Sequence, residues 1–181
     1  QLVLARSGWS KQGGFELYLK DHTRGTELWD KVKAAGAPFD IGPGAPNDIE
    51  RLESGLISYG ADMRWQTHRA TPYEMGLGTL VNLDAGHDFV GRAAVARTAN
   101  VPPTRRLVGL AIDGNPSFPG HQLAIARGGE NVGFVSEMAL SKRIGKTIGV
   151  GLIRADASDG LTVDVDGTEY PATLHDIPFV K

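Results

Sequence analysis

Cysteine is absent from the 181 residues. That excludes a disulfide framework, a thiolate nucleophile and a zinc–thiolate centre, and it fits a cytoplasmic protein. A basic surplus is missing too. Lys and Arg number 19 against 21 Asp and Glu, for a net charge of −2, so there is no field to gather a nucleic acid or an anionic membrane. No apolar run approaches the roughly 20 residues of a membrane span, and no basic stretch leads into an apolar core as in a secretion signal. Internal repeats and low-complexity tracts are also missing. The chain starts on Gln1 and runs at once into the apolar Leu2-Val3-Leu4-Ala5. A natural N-terminus usually carries polar slack, so the expectation is that an upstream portion precedes Gln1.

What is present describes a folded chain: 41% hydrophobic and 22% charged residues are ordinary for a globular protein. The paired prolines of Asn100-Val101-Pro102-Pro103-Thr104 favour an extended linker. Before it, Leu2–Arg6 and Phe15–Lys20 read as strands around a glycine-rich turn. Gly25–Ala35 reads as a helix with Leu28, Trp29 and Val32 on one face. A second helix is expected after Gly42-Pro43-Gly44, with Asn47 and Glu50 as a capping pair. Ile49, Leu52, Leu56 and Ile57 form its apolar stripe, and Gly60 is its stop. A short helix covers Arg92–Thr98. Beyond the linker, strands are expected at Leu107–Ile112, Gln122–Ala126, Val132–Met138, Thr147–Ile153, Leu161–Val165 and Glu169–Leu174. The fold class is therefore α+β: a strand-helix portion over 1–100, then an antiparallel β-barrel or sandwich over 101–181.

Several motifs fail on inspection. Gly145-Lys146-Thr147 ends like a phosphate-binding loop, but Leu140 stands where its first glycine belongs. Asp164-Val165-Asp166-Gly167 lacks the later ligands of a calcium loop. His22, His68, His87, His121 and His175 show no metal-ligand spacing, and no G-x-S-x-G elbow supports a serine nucleophile. The basic run Lys142-Arg143-Ile144-Gly145-Lys146 reads either as a charged turn or as a contact for an anionic tail. No catalytic residue can be assigned.

Arg6-Ser7-Gly8-Trp9-Ser10-Lys11-Gln12-Gly13-Gly14-Phe15-Glu16 is the most informative stretch. Its glycines allow tight bends and close ligand approach, and Trp9 offers a flat aromatic face. With Phe15 toward the core, period-two alternation sends Glu16 to the opposite face. A carboxylate there can accept from two adjacent N–H donors. The alternative is a solvent-facing Glu beside a glycine hairpin.

That stretch resembles the R-T-G-Y-T-G-E-D-G-F-E of the glycine cleavage T-protein (aminomethyltransferase) superfamily. Further blocks follow in the family's order. Arg51-Leu52-Glu53-Ser54-Gly55 with Tyr59-Gly60-Ala61-Asp62 resembles R-L-E-A-G…Y-G-x-D. Thr71-Pro72-Tyr73-Glu74-Met75-Gly76-Leu77-Gly78 resembles S-P-L-E-A-G-L-G, and Asp88-Phe89-Val90-Gly91-Arg92 resembles D-F-I-G-R. Ile144–Gly149 and Leu174…Pro178-Phe179-Val180 fit the C-terminal part. Trp9 through Gly14, and Ala45 through Arg51, look like the dimethylsulfoniopropionate demethylase-like branch. Asn47-Asp48 departs from the Arg-Asp pair of true T-proteins.

The resemblance implies three domains around a central hole that binds tetrahydrofolate. This chain would supply the later part of the folate-binding domain and the C-terminal barrel, with the N-terminal half of the same protein as its missing partner. It implies a one-carbon transferase, a methyltransferase or aminomethyltransferase, with a small-molecule methyl donor as the other partner. Glu16 would bind the pterin ring and Trp9 would supply an aromatic face. Tyr59 and Tyr73 are further cofactor-site candidates, each with packing as the alternative. For Arg51, Glu53 and Glu74 the resemblance leaves ligand contact and structural ion pairing equally open.

Overall fold

The computed structural model describes residues 1–8, 13–44, 48–64 and 69–180. Strands β1 (Leu2–Ser7) and β2 (Gly14–Leu19) form an antiparallel hairpin, with Leu4 opposite Leu17 and Ala5 opposite Glu16. Gly14 is required for its closure, because a Cβ there would lie 2.8 Å from the Ser7 carbonyl oxygen. Helix α1 (Gly25–Gly36) follows, with no residue fully buried. Leu28 and Val32 are half-buried, whereas Trp29, expected on the same face, is 56% exposed.

Helix α2 (Asp48–Glu53) is shorter than the sequence suggests. It stops at Gly55, not at Gly60. Gly55 has φ of +65°, its N–H bonds the Leu52 carbonyl at 2.9 Å, and the Leu56 N–H reaches back to Arg51 at 3.1 Å. This is a Schellman stop. Leu56 and Ile57 therefore leave the apolar stripe that periodicity gave them. Helix α3 (Arg92–Ala99) leads into the linker.

The second region is a closed barrel of six antiparallel strands in the order β3-β6-β5-β4-β7-β8. The strands are β3 (Arg105–Ile112), β4 (Leu123–Arg127), β5 (Glu130–Ser141), β6 (Lys146–Arg154), β7 (Leu161–Val165) and β8 (Thr168–His175). Closure removes the exposed sheet edges that an open sandwich would retain. Leu110, Ile112, Ile125, Val135 and Val163 fill the interior. A smaller cluster lies outside the wall, where Leu52 of α2 meets Ile148, Val150 and Phe179.

Strand β5 holds a bulge between Val135 and Glu137, opposite Gly151 and Val150. The extra residue turns Ser136 and Glu137 to the same side of the sheet, toward α2. Alternation from Val135 without the bulge would have put the Glu137 carboxylate inside the barrel.

Candidate functional site

Glu16 is exposed on the hairpin face it shares with Tyr18, Ser7 and Ala5. The Tyr18 hydroxyl donates to Glu16 Oε2. That bond first, then one involving Ser7, holds the Glu16 carboxyl below the usual carboxylate range, while Glu16 pushes the Tyr18 phenol up. Glu16 is thus an ionised, acceptor-only group whose orientation is fixed by a neighbour. Tyr18 went unnoticed in the sequence, although its position two residues from Glu16 puts it on the same face. Phe15 points the other way, but not into a core. It is 63% exposed, and the Arg6 guanidinium lies 5.3 Å from its ring centroid. Leu28 of α1 lines a cavity with Leu2 and Leu19 at the far end of that face, while Leu4 and Phe15 stay exposed.

Trp9 and Asn47 lie outside the described residues. Tyr59 is 64% exposed and bridges to Met63. Tyr73 is half-buried, with its ring flush on Gly78, where a Cβ would stand 2.9 Å from Tyr73 Cδ1. It also lines a small cavity with Thr71, Thr98 and Pro103.

The other charged residues of the family blocks form three staples between the first region and the barrel. Arg51 is fully buried. It donates to Asp62 Oδ2 at 2.8 Å, to the Leu56 carbonyl at 2.9 Å and to Glu137 Oε2 on β5 at 3.1 Å. Asp62 also accepts from the Ser58 N–H and the Ser136 hydroxyl, each at 2.7 Å. Glu53 accepts from the Ser141 hydroxyl at 2.6 Å, and its carbonyl takes the Val180 N–H. Glu74 accepts from Arg105 Nε and from the Thr71 N–H, both at 2.8 Å. Burial pushes the Glu74 carboxyl up, but Arg105 and Thr71 together outweigh it and hold it low. Arg51, Glu53 and Glu74 thus each hold an ion pair or hydrogen bond that ties the first region to the barrel. The basic run of the β5–β6 turn is likewise engaged: Arg143 lies 3.6 Å from Glu53 and Lys146 lies 3.2 Å from Asp113.

Among the described residues no cluster of three or more His, Cys, Asp or Glu is poised to hold a metal. A cavity of about 660 Å³ lies where β3 and the end of β8 diverge, between Met75, Leu107, His175 and Ile177.

Known proteins place these features in a family. Residues 1–85 match the model of the GCVT N-terminal domain, and residues 105–181 match the glycine cleavage T-protein C-terminal barrel domain. Dimethylsulfoniopropionate demethylase DmdA of Ruegeria pomeroyi is 40% identical over 167 residues, which cover 92% of this chain and 44% of that protein. An aminomethyltransferase of Synechococcus sp. (strain CC9902) is 35% identical over 181 residues, covering 98% of this chain and 47% of that protein. The fold is shared with the crystal structure of glycine cleavage system aminomethyltransferase T from Bartonella henselae. That match has a TM-score of 0.75 at 21% identity and covers 98% of this chain and 49% of the other. The chain spans about half the length of the curated relatives it matches. Two consecutive family models and relatives aligned along nearly the whole sequence carry one conclusion: the chain belongs to the glycine cleavage T-protein family.

Proposed function

We propose that this chain is part of a cytoplasmic, tetrahydrofolate-dependent one-carbon transferase that moves a methyl group from a small sulfonium or related donor to folate N5. In this reading residues 1–100 are the later part of the folate-binding domain and 101–181 its barrel. The remaining half of the family's length supplies the facing wall of the pocket. The observation that carries the reading is the Glu16 carboxylate, kept ionised and oriented by Tyr18 on an uncovered face.

Such a carboxylate fits folate chemically. The pterin edge presents a ring N–H beside an exocyclic amine, and a carboxylate can accept from both. Folate supplies the nucleophilic nitrogen. Glu16 fixes the pterin edge, Tyr18 restrains Glu16, and the exposed Tyr59, with Trp9 as the resemblance implies, supplies an aromatic face for a ring or a cationic sulfur. Tyr73 is assigned to packing. A sulfonium is already a good leaving group, so alignment of donor and acceptor supplies most of the catalysis, and no covalent intermediate on the protein is required.

The demethylase-like reading is favoured by the 40% identity to the Ruegeria pomeroyi enzyme and by Asn47 in place of the T-protein Arg. An aminomethyltransferase of the glycine cleavage type is the second reading, and a non-catalytic folate-binding module the third. Calorimetry with tetrahydrofolate on this chain joined to its family's first half tests the site. Glu16→Gln is expected to weaken binding by roughly 1.5–3 kcal/mol; equal affinity would remove Glu16 from the site. Turnover with dimethylsulfoniopropionate rather than with a lipoyl-bound aminomethyl group separates the first two readings. Folate binding without turnover of either donor selects the third.

A further inference from the structure

The junction between α2 and the barrel carries more negative charge than its buried cation balances. Three carboxylates surround the Arg51 guanidinium: Asp62 at 2.8 Å, Glu137 at 3.1 Å and Asp48 at 3.6 Å. Their surroundings differ. The Asp62 side chain is fully buried and accepts from Ser58, Ser136 and Arg51. Asp48 is 60% exposed, so water screens its charge. Glu137 falls between them. Its side chain is only 17% exposed, it stands near two other carboxylates, and its described donor is Arg51 alone.

We propose that Glu137 is a proton-binding residue that sets how firmly the barrel grips helix α2. When protonated, it still accepts the Arg51 hydrogen bond through its carbonyl oxygen and no longer repels Asp48 and Asp62. When ionised, it adds a third negative charge around one cation. Among the described residues, the charged groups facing it are Asp48 and Arg51 from α2 and Asp62 from the loop that follows. Strand β6 contributes the neutral Val150 carbonyl, which the Ser136 hydroxyl also reaches at 3.0 Å. Burial first, and then the Asp48 charge, push the Glu137 carboxyl above its ordinary 4.5 against the pull of Arg51.

The sign of the effect follows. Above 4.5 the unfolded chain has released this proton while the folded chain still holds it. Stability from this group is therefore present at low pH and is lost as pH rises through the raised value. The lost factor is about tenfold in the opening equilibrium for each unit of difference between folded and unfolded values. The bulge makes the arrangement possible by presenting Ser136 to Asp62 and Glu137 to Arg51 from adjacent positions. The inference does not depend on folate.

The experiment uses the 181-residue chain, with the Glu137 side-chain carbon titrated by NMR and α2 amide exchange followed from pH 4 to 8. Wild-type α2 amides, corrected for intrinsic exchange, should lose protection as pH rises, while β4 amides inside the barrel stay unchanged. Glu137→Gln should flatten the α2 profile and match or exceed wild-type protection at pH 7. Glu137→Ala, which lacks the acceptor, should protect less than Glu137→Gln. Asp48→Asn should lower the Glu137 midpoint. A wild-type pH profile in Glu137→Gln, or a midpoint unmoved by Asp48→Asn, overturns the proposal. So does equal loss of protection in Glu137→Gln and Glu137→Ala.

Discussion

The hairpin and the barrel are both antiparallel sheets, yet they hold their residues in opposite ways. In the barrel, six strands close on themselves and Leu110, Ile112 and Ile125 are fully buried. In the hairpin, two strands of six residues each leave Leu2, Leu4, Phe15, Leu17 and Tyr18 between 40% and 63% exposed. A lone hairpin is marginal in water, because too little apolar surface is buried to offset chain entropy. The barrel is therefore the stable body of this chain, and the hairpin displays a chemical group on a surface left open. Helix α2 belongs to neither sheet, and its buried charges face the barrel.

The junction offers the largest test. Arg51→Met would leave Asp62 buried without its cation and is expected to cost about 3–5 kcal/mol, measured by urea denaturation. A loss below about 1 kcal/mol, the scale of exposed ion pairs, would mean that the barrel stands without this staple. The next test contrasts the sheets directly. Leu110→Ala should cost about 2–5 kcal/mol through a barrel cavity, whereas Leu4→Ala should stay within about 0.5 kcal/mol. Comparable losses would break the comparison and require a packed hairpin.

Gly55→Ala should follow, with a strain of about 1–2 kcal/mol from the left-handed backbone. The steric conflict adds to this, since the new Cβ would lie 2.1 Å from Ile177 Cγ2. A thermal shift near zero would show that the Schellman stop is not needed. The smallest effect is at Glu74. Its folded carboxyl is held below the ordinary 4.5, so its contribution is present above that value and is lost as pH falls through the lowered one. Glu74→Gln should flatten the acid limb of stability below pH 4.5 relative to wild type; an unchanged limb would assign the acid loss to other carboxylates.

Much of the barrel was legible because each strand alternates or runs apolar between turn residues, and all six expected strands overlap observed ones. Closure was not legible, since strand spacing alone fits a barrel or a sandwich. Nor was the bulge at Ser136. Period two counts residues without seeing one step out of register, so the α2-facing pair Ser136 and Glu137 was invisible. The end of α2 was misplaced because Gly55 and Gly60 are equivalent as symbols, and only Gly55 makes the Schellman bonds. The place of Glu16 on the face opposite Phe15 was legible through alternation along β2. Phe15 itself was not, because a hydrophobic residue opposite a polar one shows which face is apolar but not whether anything covers it. Tyr18 needed only the same alternation carried one step further. The pairings of Arg51, Glu53 and Glu74 required three dimensions, because their side-chain partners lie up to 88 positions away in the sequence.

The hairpin has a further consequence for anyone handling this chain. Among the described residues, β1 and β2 pair only with each other, so each presents a row of backbone donors and acceptors along its outer side. Leucines stud one face, and no proline interrupts either strand. Such edges are templates for other strands, and in concentrated solution the readiest strand is the same one on a neighbouring molecule. The hairpin that displays Glu16 on one face is thus also, along its edges and its leucine face, where this chain will first become sticky.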